Sequence, residues 1–141
     1  LAEKKKVSLN LISNGELPFR GDENLLHRLF LNLLDNAIKY NRPGGSVTVE
    51  CEDYRITVSD TGNGIPLEVQ ARIFERFFRV DSARSRSEIS ETAGAGLGLS
   101  IAQWVAEVHH GSLILRRSDL KGSVFQLDLL RQGRCQTRDF L

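Results

Sequence analysis

Apolar and polar residues alternate along "VSLNLI" (7–12), which predicts a strand, and "ELPFRGD" (16–22) continues as a short extended piece ending in a turn. The period then changes. Leu25, Leu26, Leu29, Phe30, Leu33 and Ala37 recur at helical spacing, with Asp22 placed to cap the first turn and "RPGG" (42–45) ending the run near Asn41. "SVTVECEDYRITVSD" (46–60) alternates in two arms about Glu52 and Asp53, the pattern of a tight hairpin that delivers an aspartate at its end. After "TGNGIP", the segment "LEVQARIFERFF" (67–78) predicts a short helix. "RVDSARSRSEISETAGAG" is poor in apolar residues and reads as a mobile loop. Leu97 to Val108 predicts another helix, and "GSLILRRS" and "GSVFQLDLL" predict two more strands. The tail at 131–141, "RQGRCQTRDFL", has no period and is expected to be peripheral or disordered, leaving 1–130 as the folded domain.

The order strands, helix, hairpin, helices, hairpin does not alternate strictly as strand and helix. It predicts a mixed, largely antiparallel sheet with helices gathered on one face, a two-layer α+β sandwich. A length of 141 residues, 40% hydrophobic and 26% charged, suits one such domain with a real core. Nineteen basic residues against eighteen acidic give no electrostatic signature of nucleic acid or an anionic membrane as the main partner. No apolar run approaches the roughly 20 residues of a membrane span, and the N-terminus lacks a signal-peptide core. Cys51 and Cys135 lack metal-ligand spacing and fit a reduced, cytoplasmic setting. The chain starts at Leu1 rather than Met, which reads as a fragment of a longer protein, so the missing membrane span leaves a membrane anchor in the parent open.

Three stretches carry chemistry. In "NLLDNAIKYN" (32–41), Asn32, Asn36 and Lys39 fall within a band of roughly 60° on the helix, beside the leucine stripe. Asn is a poor helix former, and a buried amide costs stability unless it is hydrogen-bonded. Amide oxygens facing a hard cation and an ammonium facing phosphate form the pairing a Mg-nucleotide requires; singly, each Asn reads as a solvated edge residue. In "DTGNGIP" (60–66), Asp60 can accept from an exocyclic amino group such as that of adenine, while Gly62 and Gly64 permit a tight turn and close approach of a planar ligand. An ordinary strand-to-helix turn uses the same residues. In "GAGLGLS" (94–100), Gly94, Gly96 and Gly98 free backbone N–H groups to face an anion at a helix start. The spacing matches neither the Walker P-loop nor the Rossmann fingerprint.

"NLLDNAIKYN", "DTGNGIP", "IFERFFR" and "GAGLGLS", in this order, resemble the N, G1, F and G2 boxes of the catalytic ATP-binding domain of sensor histidine kinases. That family shares its nucleotide fold, the Bergerat or GHKL fold, with Hsp90, gyrase B and MutL. The resemblance spans about Val7 to Leu130 and implies an α/β sandwich whose mixed sheet is backed by three helices. It implies Asn36 as the magnesium ligand, Asn32 facing the phosphate end, Lys39 on phosphate and Tyr40 packed near the nucleotide. Asp60 would bond the adenine amino group, with Gly62, Gly64 and Ile65 shaping that pocket. Gly94, Gly96, Leu97, Gly98 and Leu99 would form the phosphate-side glycine box. Residues between Phe78 and Ala93 would form the ATP lid, from which Arg79 would reach the terminal phosphate, ahead of Arg84 and Arg86.

Position 32 separates subfamilies. In the ATP-hydrolysing clamps of this fold a glutamate four residues before the metal asparagine activates water; Asn32 has no carboxylate, which favours phosphoryl transfer to a protein. Phe74 is expected in the core, with Phe77 or Phe78 partly exposed towards a partner helix bundle. His27, His109 and His110 lack the helical, acid-flanked context of a phosphoacceptor. The implied activity is therefore that of a histidine kinase catalytic domain that binds ATP and Mg²⁺ and donates phosphate to a histidine on a separate dimerisation domain, with a response regulator downstream. The alternatives are a serine-directed or mitochondrial-type protein kinase of the same fold, and a nucleotide-binding regulatory module without catalysis.

Overall fold

A computed structural model describes residues 6–13, 19–76 and 98–129. The alternating N-terminal run forms strand β1 (Ser8–Ser13), the leucine-striped run forms helix α1 (Glu23–Lys39), and the next two arms form β2 (Ser46–Glu52) and β3 (Arg55–Asp60). A 3₁₀ turn (Leu67–Arg72), helix α2 (Gly98–Val108), β4 (Ser112–Asp119) and β5 (Gly122–Asp128) follow. The sheet order is β1-β2-β3-β5-β4; β1 runs parallel to β2, and the remaining pairs are antiparallel. This is the mixed, largely antiparallel sheet expected.

The β2–β3 connection has Asp53 and Tyr54 at its tip, both with positive φ (50° and 68°). Two successive left-handed residues make the primed turn whose twist matches the flanking strands, which closes the hairpin at the Glu52–Arg55 pair.

One face of the sheet is apolar and the other largely polar. Val47, Ile56, Val58, Leu113, Phe125 and Leu127 meet Leu29, Leu33 and Ala37 of α1 and Ala102, Val105 and Ala106 of α2 in a single buried cluster. The alanines of α2 let that helix lie close to its neighbours. On the opposite face Arg55 pairs with Asp128 at 2.8 Å, and Gln126 donates to the same carboxylate at 2.8 Å. Burial pushes the Asp128 carboxyl up, but the Arg55 and Gln126 hydrogen bonds outweigh it, and the net displacement is downward.

Strand β4 has one irregularity. Its register against β5 slips between Leu115 and Arg117, so that Leu115 lies opposite Phe125 and Arg117 opposite Val124. Arg116 is the extra residue of a β-bulge, and beyond it the alternation of faces is inverted. Ser118, opposite Ser123, therefore lies on the apolar, helix-bearing side.

The ends of the helices are fixed by side chains. Asp22 accepts the N–H of Leu25 at 3.0 Å as the N-cap of α1. His109, just past the end of α2, accepts the N–H of Asp22 through Nε2 at 2.9 Å, and its Nδ1 donates to the Val105 carbonyl at 2.8 Å. Phe19 packs against the same imidazole.

The structure departs from the sequence reading between the G1 loop and α2. Where a helix over 67–78 is expected, Leu67–Arg72 forms a 3₁₀ turn with no buried residue, and of the described residues behind it Ile73 and Phe74 pack into the core. Phe74 meets Phe125 edge-on, with ring centroids 6.1 Å apart, which agrees with its expected core role. The sheet is backed, among the described residues, by two α-helices and this 3₁₀ turn rather than by three full helices. Phe77, Phe78, the expected lid and the 131–141 tail lie outside the described residues, as does Cys135. No helix among the described residues is long and apolar enough to cross a membrane.

Candidate functional site

Helix α1 is the spine of the site. Asn32, Asn36 and Lys39 are half-buried along one flank of it, next to the fully buried Leu29–Leu33 stripe. The Asn32 side-chain amide donates to the Gly98 carbonyl at 3.1 Å, pinning the first described residue of α2 beside α1. Asn36 makes no side-chain hydrogen bond among the described residues, so none of them takes up its amide. At the end of the helix the Lys39 ammonium lies 5.1 Å from the centre of the Tyr40 ring, and Tyr40 is exposed.

Asp60 closes β3 at the other end of this spine. Both of its N–H donors, from Gly62 at 2.8 Å and Ser123 at 3.2 Å, reach the same oxygen, Oδ1. Oδ2 has no donor among the described residues. Burial pushes the Asp60 carboxyl up from the usual carboxylate range, and the two N–H bonds offset this only in part.

The loop after Asp60 is held against α1 at close range. Gly62 is buried, and a Cβ there would stand 2.6 Å from the Tyr40 carbonyl and 3.0 Å from Asp60 Oδ1. Gly64 has φ +78°, and a Cβ would collide with the Asp119 carbonyl. These two glycines are required by the fold itself, before any ligand is considered. Gly98 differs: among the described residues the nearest atoms to an added Cβ are those of Asn32 at 3.9 Å or more, ordinary contact. Ile65 is partly buried against the core, as is Leu99 at the start of α2.

The structure thus brings Asn32, Gly98 and Leu99 together at one end of the α1 flank, and Tyr40, Asp60, Gly62, Gly64 and Ile65 at the other. Arg79, Gly94, Gly96 and Leu97 lie outside the described residues.

Several residues at this site carry no sequence signal that the boxes supply. Arg42 donates from one guanidinium nitrogen to the Gly62 carbonyl at 3.0 Å and the Leu120 carbonyl at 2.7 Å, tying three segments together. Asn41, buried, accepts from the Arg42 N–H and the Thr61 hydroxyl and donates to the Ser46 carbonyl. Gln70 donates to the Ile65 carbonyl at 2.9 Å. Ser118 and Ser123 join hydroxyls at 2.8 Å, and Ser118 Oγ accepts the Ile65 N–H at 2.7 Å. Gly122 is the one residue of this group with a readable cue, since a glycine opening a strand signals close backbone approach; here a Cβ would collide with the Asp60 carbonyl.

No group of three or more His, Cys, Asp or Glu able to hold a metal is found among the described residues. The oxygen donors available at the α1 flank are neutral amides.

Comparison with known proteins agrees with this fold. The family described as histidine kinase-, DNA gyrase B- and HSP90-like ATPase matches residues 21–133. The sensor histidine kinase RppB of Synechocystis is 44% identical over 122 residues, which is 84% of this chain and 26% of that protein. Among solved structures, the mycobacterial sensor histidine kinase MprB superposes with a TM-score of 0.73 at 32% identity, covering 91% of this chain and 86% of that one. Full-length ShkA in complex with AMPPNP gives a TM-score of 0.72 at 27% identity, covering 91% of this chain and 26% of that one. The chain spans about a quarter to a third of the curated relatives it matches. It belongs to the histidine kinase-, DNA gyrase B- and HSP90-like ATPase family, with the α/β sandwich of a sensor histidine kinase ATP-binding catalytic domain.

Proposed function

We propose that this chain binds ATP with Mg²⁺ along the α1 flank and presents the γ-phosphate to a histidine on the dimerisation domain of its parent protein. The observation that carries this reading is Asp60: a half-buried carboxylate whose Oδ1 is held by two backbone N–H groups while Oδ2 accepts from no described residue. An acceptor fixed in this way suits the exocyclic amino group of adenine and repels the carbonyl that guanine carries in its place. Gly62, Gly64 and Ile65 form the wall beside it. From Tyr40, next to this end, back to Asn32 the helix rises about 12 Å, a span over which a triphosphate extends from its base. The complex of the related ShkA with AMPPNP supports a nucleotide at this fold.

At the phosphate end, Gly98 and Leu99 bring the start of α2 to the phosphates, with Gly94, Gly96 and Leu97 completing the loop; nearer the base, Tyr40 packs beside the nucleotide and Lys39, next to it, offsets phosphate charge. The Asn36 amide oxygen is the protein ligand we assign to Mg²⁺. It is half-buried and makes no hydrogen bond among the described residues, and a single neutral oxygen suits a hard cation that takes most of its ligands from phosphate and water. When bound, the cation neutralises charge on the phosphate oxygens.

Asn32 faces the same end, where its N–H group is committed to the Gly98 carbonyl. A carboxylate at this position would repel that carbonyl, which is consistent with a site that excludes a water-activating acid. Transfer then proceeds in line: a nitrogen of the acceptor imidazole forms the N–P bond as the bond from Pγ to the bridging oxygen breaks and ADP leaves. Arg79 is assigned to the terminal phosphate in this step. The setting is the cytoplasm, with a response regulator as the next recipient.

Titration calorimetry with ATP and GTP, each with and without Mg²⁺, tests the binding half. ATP-selective binding, weakened in Asp60→Asn and altered in its Mg²⁺ response in Asn36→Asp, is the expected result, and a folded chain that binds no nucleotide overturns the reading. Incubation with ATP and the parent's dimerisation domain tests transfer. An acid-labile phosphoprotein is expected, and an acid-stable one would instead indicate a serine-directed kinase.

A further inference from the structure

We infer that Ser118 is a positioning residue for the purine end of the nucleotide, acting through Ser123 and Ile65; this rests on the ATP-binding reading above. Ser118 lies on β4, outside all four boxes, and by simple alternation with Leu113 and Leu115 it would lie on the opposite face of the sheet. The bulge at Arg116 inverts the phase and turns Ser118, instead of Arg117, towards the side that carries Asp60.

Once there, Ser118 joins two elements of the base pocket. Its Oγ accepts the Ile65 N–H at 2.7 Å and lies 2.8 Å from the hydroxyl of Ser123. The N–H of Ser123 in turn holds Asp60 Oδ1 at 3.2 Å. A hydroxyl has one proton and two lone pairs, so Ser118 can satisfy both contacts at once. Ser123 is buried, with only 4% of its surface exposed, so its hydroxyl depends on a protein partner. The Gly62–Ile65 loop is also held by Arg42 on the Gly62 carbonyl and by Gln70 on the Ile65 carbonyl. Those two hold the loop's carbonyls. Among the described residues, Ser118 is the side chain that links an N–H of that loop to Ser123, which together with Gly62 holds Asp60 Oδ1.

Removing the Ser118 hydroxyl therefore loosens Ile65 and Ser123 together and lets the Asp60 carboxylate sample other orientations. The effect falls on recognition of the 6-amino group, since Ser118 touches none of the residues assigned to the phosphates or Mg²⁺.

Calorimetric titration of the full chain with Mg-ATP and with Mg-purine riboside triphosphate, which lacks the 6-amino group, separates these effects. The unmodified chain is expected to prefer ATP. Ser118→Ala is expected to weaken ATP about five- to tenfold while changing the purine analogue by less than about twofold, the scale of one lost hydrogen bond. Ser118→Thr, which keeps the hydroxyl, restores the preference. If the alanine variant does not fold, Ser118→Cys, of similar volume but with a weak acceptor, serves the same comparison. Unchanged ATP affinity overturns the inference, as does an equal loss for both nucleotides, which marks a general structural role. An unmodified chain that binds both nucleotides equally also overturns it, whereas one that binds neither overturns the ATP reading beneath it.

Discussion

His109 and Asp22 are joined by one hydrogen bond, from the Asp22 N–H to Nε2 at 2.9 Å, which links the end of α2 to the start of α1. The other ring nitrogen donates to the Val105 carbonyl, so the neutral imidazole with its proton on Nδ1 is the form that satisfies both contacts. His109→Ala removes the acceptor for Asp22 and the ring against which Phe19 packs. A loss of about 1–2 kcal/mol in urea denaturation is expected, with nucleotide affinity unchanged, because the contact lies at the end of α1 away from Asn36 and Tyr40.

Asp60 sets binding against stability. Its carboxyl titrates above its ordinary value of 3.8, chiefly because of burial. A group raised in the folded state contributes stability below its ordinary value and loses it as pH climbs through the raised one. In the ligand-free chain this contribution therefore declines as pH rises above about 4. Asp60→Asn is expected to remove that decline and melt at a higher temperature than the unmodified chain at neutral pH, while losing most of its ATP affinity. Paired melting curves from pH 3 to 7 check this; a variant less stable at neutral pH would count against it.

The glycines divide into two kinds. Gly64→Ala and Gly122→Ala each place a Cβ on a backbone carbonyl from a positive φ (+78° and +132°), so each is expected to lose more than about 1 kcal/mol of stability even without nucleotide. Gly98→Ala meets nothing closer than ordinary contact and sits in a helix, where Ala gains up to about 1 kcal/mol over Gly. It is expected to be neutral or stabilising in the melt yet weaker for ATP. Thermal melts beside titrations distinguish the two kinds.

Asn32 and Asn36 are expected to behave differently although they lie one turn apart. Asn32→Ala gives up the bond to the Gly98 carbonyl and loses about 1 kcal/mol of stability. Asn36→Ala gives up no protein hydrogen bond among the described residues and is expected to melt within about 0.5 kcal/mol of the unmodified chain. Its deficit appears only when ATP is titrated with and without Mg²⁺, as a loss of the difference between the two curves.

Much of this molecule is legible from residue order. The period of α1, its Asp22 cap and the alternating hairpin arms are strong local signals, and all three appear as read. The 67–78 segment misled because Val69, Ile73 and Phe74 have a helical look; only the last two reach the core, and the entry through Pro66 leaves Leu67–Arg72 a surface 3₁₀ turn. The asparagine band was visible, but which amide is already committed was not. That choice depends on where α2 starts in space, which no spacing within α1 records. Ser118, Arg42 and Gln70 were hidden for the same reason: a one-residue slip in β4 and hydrogen bonds to backbone atoms leave no trace in composition or period.

The parallel pairing of β1 with β2 bears on the order of assembly. The β2–β3 and β4–β5 pairs close through two-residue turns, but β1 can register against β2 only after the chain has passed through all of α1. It gains partners on one side alone among the described residues, and its Leu9, Leu11 and Ile12 remain largely exposed. Late docking and early release follow from that long closure and one-sided support. The backbone amides of Ser8–Ser13 should exchange with deuterium well before those of β3 and β5, at the centre of the sheet.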